Sequence, residues 1–235
     1  MNGSHDELML HEQILLLALR DEEGTIAFGA NYSFAVGGAV LAELLLHRRV
    51  EIEESKRRKL VNLIDAAPLG EPVMDECLEK IRNAKRRANP RTWVSRFASV
   101  KKLKHRIAEG LCDRGILRAD DVKVLLFFTR KVYPEVNPAP ERDMIERTRQ
   151  AIFTESTEVD PRTVVLISLA KATDILRIPF DKKLLKQRKH RIQQLIDGEI
   201  MGRATREAVE AAQAAQAAVA LCCTVPAVTA ATVSS

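Results

Sequence analysis

Apolar residues recur at helical spacing along most of the chain. Leu8, Ile14, Leu15 and Leu19 share one face of a helix that Ser4 or Asp6 can cap. Asp21-Glu22-Glu23-Gly24 then reads as a turn, and 25–28 as a short strand. A second helix is expected over 33–46, with Leu41, Leu44 and Leu45 inward. Its Gly37-Gly38 pair is unusual, because each glycine costs about 1 kcal/mol against alanine in a helix interior. The pair therefore marks either the helix start or a close packing contact.

Apolar and acidic residues alternate over 50–53, and a second apolar run covers 60–64, so a hairpin joined by 54–59 is expected. After a loop at Pro68, Gly70 and Pro72, the shared face of Val73, Cys77, Leu78 and Ile81 predicts a helix over 73–82. Asn89-Pro90 breaks the chain, and 91–97 forms a short helix around Trp93, the single tryptophan. Val100, Leu103, Ile107 and Leu111 make the stripe of an amphipathic helix over 100–114, which Gly115 stops. A second hairpin is read from 116–118, a turn at Ala119-Asp120-Asp121, and 123–128. Pro134, Pro138 and Pro140 stiffen a loop, and helices follow over 141–153, 161–176 and 181–196. From Ala204 the sequence turns alanine-rich and suits a weak helix to about Leu221, then a disordered tail. The expected fold is mainly α. A single-domain helical bundle with a small β-hairpin occupies 1–200, and the alanine-rich segment occupies 201–235.

Composition agrees with helices. Aromatic residues are only 4% of the chain, so Leu, Ile, Val and Ala must supply the core. The four cysteines contain no C-x-x-C pair and read as reduced thiols. Asp6, Glu7 and Glu12 stand where a signal peptide would be basic and apolar. The apolar runs at 14–19 and 39–46 fall well short of the ~20 residues of a membrane span. A cytoplasmic protein is expected, with any membrane association peripheral. No enzyme signature emerges. His11-Glu12 opens a zinc-protease pattern that Leu15 breaks, and the phosphate-binding and nucleophile-elbow motifs are missing. Asp174, inside an apolar run, reads as a satisfied polar group at a helix end. No catalytic role, metal or cofactor is expected.

Charge carries the one chemical signal. The whole chain has 37 Lys+Arg against 32 Asp+Glu, a net of +5. Between Lys80 and Arg106, however, lie eleven Lys/Arg and no Asp or Glu, which leaves 26 basic against 32 acidic residues elsewhere. An acidic body thus carries one strongly basic segment that attracts polyanions. On the predicted helix, Lys101 and Lys104 lie on one side with His105, and Lys102 and Arg106 form the neighbouring pair. Such a helix can grip the phosphates of a membrane surface. A basic helix followed by a glycine and two strands also outlines a winged helix, which would bind nucleic acid. That alternative is the weaker one, because the segment has few Asn or Gln to read base edges beside its arginines.

Several strings resemble the Golgi phosphoprotein 3 family. They are LMLHEQILLLALRDEEGTIAF (8–28), LAELLLHRRVEI (41–52), DAAPLGEPVMDECLEKI (65–81), KHRIAEGLCDRGIL (104–117) and VLLFFTRKVYPEV (124–136), all in family order. The compact start is similar to the bacterial members. The resemblance implies a mainly helical domain that binds phosphatidylinositol 4-phosphate or another anionic phospholipid on a membrane surface. Golgi members act on the cytosolic face of that organelle and gather protein cargo. The implied headgroup residues are Lys101 and Lys104. The basic segment itself adds Arg106 to them, with Arg86, Arg87 and Arg91 as auxiliary basic surface. The family's pocket tryptophan falls at Gly29 or Ala30 and its arginine near Gly37, so the resemblance implies general anionic binding more than selection of one lipid. It also implies homo-oligomerisation through the second hairpin, with Leu125, Leu126, Phe127 and Phe128 as the contact.

Overall fold

The computed structural model describes residues 7–20, 25–26, 30–55, 58–124, 128–199 and 206–224. In chain order these form α1 (Leu10–Ala18), β1 (Leu19–Arg20), β2 (Thr25–Ile26), α2 (Ala30–Leu46), β3 (Val50–Ser55), β4 (Arg58–Leu63), α3 (Pro72–Arg82), α4 (Pro90–Ala98), α5 (Leu103–Asp113), β5 (Asp120–Val124), β6 (Phe128–Val132), α6 (Ala139–Phe153), α7 (Pro161–Ala172), a 3-10 turn (Ile175–Arg177), α8 (Lys182–Gln187), α9 (Lys189–Asp197) and α10 (Arg206–Cys223). The mainly α fold is as expected. Three two-stranded antiparallel sheets, β1-β2, β3-β4 and β5-β6, accompany the helices.

The centre is built from helices buried on almost every side. Every residue of α1 is buried, as are Thr163 to Ala170 in α7. A helix with no solvent-facing stripe must be surrounded by other elements. α10 packs on α7, α2 and α4, and α1 packs on α2 and α5. The alanine-rich helix is thus an integral wall of the core. Its Ala212 and Ala215 are fully buried, and small side chains let it lie close to its neighbours.

Gly37 and Gly38 sit in mid-helix, so they mark a packing contact and not the helix start. A Cβ at Gly37 would lie 2.5 Å from the Val94 carbonyl oxygen of α4. At Gly38 it would meet side-chain tips of Val219 and Leu169. The glycine pair lets α2 approach α4 on one side and α7 and α10 on the other.

Several boundaries differ from expectation, some through tertiary partners and some through local backbone turns. α1 starts at Leu10, well after Ser4 and Asp6. Its free N–H groups are taken by carboxylates: Met9 N–H donates to Glu12 and Leu10 N–H to Glu43 of α2. The helix expected over 100–114 begins only at Leu103, after a turn in which Lys102 takes a left-handed conformation (φ 55°). The segment 161–176 breaks at Asp174 (φ 61°), which is exposed and pairs with Arg177, as a polar helix-end residue should. The segment 181–196 divides at Arg188, whose guanidinium reaches Glu155 and the Phe153 carbonyl.

The second hairpin is displaced from its expected place. Ala119-Asp120-Asp121 is not the turn, because Asp120 and Asp121 are in β5, opposite Val132 and Lys131. Leu117 bridges Glu135 below them, so 117–124 and 128–135 run as one long ladder. Buried Ile116 and Leu117 anchor its base, with Val136 N–H donating to the Ile116 carbonyl. Leu125, Leu126 and Phe127 lie outside the described residues, and Phe128 opens β6.

Candidate anion-binding surface

The basic segment folds into the end of α3, the loop after it, α4, a tight turn and the start of α5. Acids outside the segment, some one helical turn away and some distant in sequence, neutralise part of it. Glu76 pairs with Lys80 at 3.2 Å and with Arg106, Glu79 with Arg82 at 2.9 Å, and Glu53 of β3 with Arg87. Arg106 also donates to the Pro72 carbonyl, and Arg87 to Asn62 of β4. Arg106 and Arg87, both expected on the anion-binding surface, therefore also serve as ties between elements. The Arg106 hydrogen bond is the main cause that holds the Glu76 carboxyl below its usual pKa, so the pair stays ionised at neutral pH.

Seven cations of the segment have no acidic partner among the described residues: Lys85, Arg86, Arg91, Arg96, Lys101, Lys102 and Lys104. Six of them form two groups, and Arg91 stands apart at the start of α4.

The first group surrounds the start of α5. Lys101 and Lys102 are exposed in the α4–α5 turn, and no side chain caps the helix. The free N–H groups and positive dipole end of a helix favour an anion at such a place. Lys104 completes the group from the first turn and is held, not loose. Its ammonium lies 5.8 Å from the centre of the Tyr133 ring. Burial, and then the charge of Arg130, lower its pKa. Tyr133 is itself fixed, with its hydroxyl 2.8 Å from His105 Nδ1. Burial first, then the Lys104 charge, push the His105 pKa down, so the imidazole is neutral at physiological pH. The expectation that Lys101 and Lys104 share a helix face gives way here to a turn-and-helix arrangement.

The second group lines a cleft of about 920 Å³ between α3, the following loop and α4. Lys85, Arg86 and Arg96 face it, together with Lys80, Glu76, Glu79 and Trp93. The Arg96 guanidinium stacks 4.6 Å above the Trp93 ring. Trp93 is 1% exposed and tilts against Phe97 at 5.7 Å. The sequence marks Trp93 only as the centre of a short helix and does not reveal the cleft. Only the spacing of Trp93 and Arg96, three apart on a helix, hinted at the stack. Arg91 lies exposed at the start of α4.

Gly29 and Ala30 side-chain positions lie outside what can be described, but position 37 is clear. The Val94 carbonyl occupies the space that any side chain there would need. No group of three or more metal-ligating side chains occurs among the described residues, and no described helix is long and apolar enough to cross a membrane.

Comparison with known proteins adds a family. The profile of Golgi phosphoprotein 3 (GPP34) matches residues 10–212. Vacuolar protein sorting-associated protein 74 of Eremothecium gossypii is 25% identical over 210 residues, covering 74% of this chain and 62% of that protein. The protein of the same name from Schizosaccharomyces pombe is 24% identical over 206 residues, covering 74% and 60%. The aligned part spans about three-fifths of the length of these relatives.

Proposed function

Because the chain belongs to the Golgi phosphoprotein 3 family, we propose that it is a non-catalytic peripheral adaptor that docks on anionic phospholipid through the lysines at the start of α5. The observation that carries this reading is the grouping of Lys101, Lys102 and Lys104 around an uncapped helix N-terminus, with no acidic partner among the described residues. Each lysine near an anionic surface contributes about 1 kcal/mol. Three contribute about 3 kcal/mol, on the order of a hundredfold in affinity. Arg86 and Arg91 add steering charge, and salt weakens the attraction. Arg106 takes part through its position beside the lysines while it ties α5 to α3.

Phosphatidylinositol 4-phosphate is the lipid that the family resemblance implies. The blocked position at Gly37 favours attraction by charge over a closed headgroup pocket. The relatives are named for vacuolar protein sorting, which supports a role in protein sorting at a membrane, with protein cargo as a partner and the hairpin tip as a contact between copies. α5 does not stand clear as a groove-reading helix would, since Arg106 is tied to Glu76 and Lys104 lies over Tyr133.

Vesicle sedimentation tests the reading. Phosphatidylcholine vesicles carrying phosphatidylglycerol or phosphatidylinositol 4-phosphate should both bind the protein, and plain phosphatidylcholine should not. Lys101→Glu with Lys102→Glu, two exposed turn positions, should abolish that binding without loss of fold. Unchanged sedimentation of the double variant would show the site to be misplaced.

A further inference from the structure

We propose that the α3–α4 cleft is a second anion site, separate from the α5 lysines, that takes a phosphorylated ring-sized ligand. Three observations converge on it. First, its volume of about 920 Å³ lies within the range of small-ligand sites and far exceeds what one bare phosphate needs. Secondly, its two acids are already neutralised. Glu76 is held by Arg106 and Lys80, and Glu79 by Arg82. Lys85, Arg86 and Arg96 therefore keep their charge for an occupant. Two guanidinium groups and an ammonium suit phosphoryl oxygens, which accept forked, charge-assisted hydrogen bonds.

Thirdly, the cleft is floored by the buried Trp93, with Arg96 laid over its ring. Trp93 lines it, and the buried indole Nε1–H has no hydrogen-bond partner among the described residues. A buried N–H without an acceptor is costly in a native protein and calls for an explanation. Arg96 stacked over this ring is a cation placed by packing, not by a carboxylate. Such a cation can turn to an incoming phosphate without breaking an ion pair. The ligand that fits is a phosphorylated sugar or cyclitol, with its phosphates on Lys85, Arg86 and Arg96 above the covered indole. That chemistry is supplied either by a soluble phosphate or by the headgroup of a lipid.

This inference does not rest on the membrane reading, because none of Lys101, Lys102 and Lys104 lines the cleft. The single tryptophan makes it directly testable. Inositol hexakisphosphate titrated into the full chain should change Trp93 fluorescence saturably, while potassium chloride of equal ionic strength should not. Arg96→Gln, and separately Lys85→Gln with Arg86→Gln, should each weaken the apparent Kd at least about tenfold. Calorimetry confirms this for Arg96→Gln, whose change alters the tryptophan's surroundings. Lys101→Gln with Lys102→Gln should leave the Kd within about twofold, since rim charges outside a site act weakly. Displacement of the probe by phosphatidylinositol 4-phosphate vesicles upholds the cleft with a lipid source, and lack of displacement upholds it with a soluble one. The proposal fails if the response matches that to chloride, or if the Lys101/Lys102 pair abolishes it while the cleft variants do not. Vesicle sedimentation of the same variants shows separately whether the membrane reading stands.

Discussion

Gly37→Ala and Gly38→Ala form a controlled pair. Both substitutions lie in the middle of α2 and gain the same helix propensity, about 1 kcal/mol. What a new methyl meets differs. At Gly37 it would lie 2.5 Å from the Val94 carbonyl oxygen and 3.1 Å from the Ala98 nitrogen, both backbone atoms. Ordinary contact starts at 3.4 Å, so α4 would have to retreat by about 0.9 Å. Overpacking of this kind costs about 3 kcal/mol where no rotamer can give way. The net expectation is a loss of about 2 kcal/mol, or about 4–8 °C in Tm for a chain of this length. At Gly38 the obstacles are side chains, Val219 at 2.4 Å and Leu169 at 2.9 Å, of which only the unbranched Leu169 Cβ lets its tip turn aside. There a cost of about 2 kcal/mol exceeds the propensity gain, and the net loss should be about 1 kcal/mol, half that at Gly37. Urea unfolding followed by Trp93 fluorescence measures both variants and also reports the displaced α4. If Gly37→Ala is as stable as Gly38→Ala, the close approach of α2 and α4 is not what the glycine provides.

Two further expectations concern buried groups. Glu43 is 1% exposed and accepts hydrogen bonds from Arg162 (2.9 Å), the Leu10 N–H (3.2 Å) and His47 (3.3 Å). Burial alone would raise its pKa, but the His47 hydrogen bond and the charge and hydrogen bond of Arg162 outweigh burial and lower it. The stabilisation is therefore complete above the ordinary carboxylate range and is lost as pH falls through the lowered folded value. Arg162→Met should cost about 3 kcal/mol at neutral pH, and the deficit should shrink in acid as the stranded Glu43 takes a proton. Urea melts at about pH 7 and about pH 4 compare the two, and a deficit independent of pH would contradict the pairing. Cys77 is fully buried in α3, and burial pushes its thiol up to about 12. Because only the thiolate reacts, native wild type and Cys77→Ser should show equal titres with a thiol reagent at neutral pH. An extra fast-reacting thiol in wild type would refute the burial.

Much of the fold was legible because periodicity states which face of an element is buried. Val73, Cys77, Leu78 and Ile81 in α3, and Leu103, Ile107 and Leu111 in α5, occupy the expected stripes. Three of the misplaced boundaries share one cause, a partner remote in sequence. The start of α1 is set by Glu43 from α2, the break at Arg188 by Glu155, and the second hairpin's register by the pairing of Leu117 with Glu135. α10 shows the same limit from the other side. Alanine has high propensity but little apolar area, so pattern alone left it peripheral, whereas its thinness lets it lie between α2, α4 and α7.

The sequence by itself determined that this is a helical protein with one cationic region, because apolar period and local charge are properties of contiguous residues. It also held the strings that relate the chain to its family. Only the tertiary structure decided which cations remain available. An ion pair needs two groups within about 4 Å, and Glu76, Glu79 and Glu53 reach the basic segment from outside it. That folding divides eleven like charges into four that are paired, two of them across elements, and seven that gather at the start of α4, the start of α5 and the Trp93 cleft.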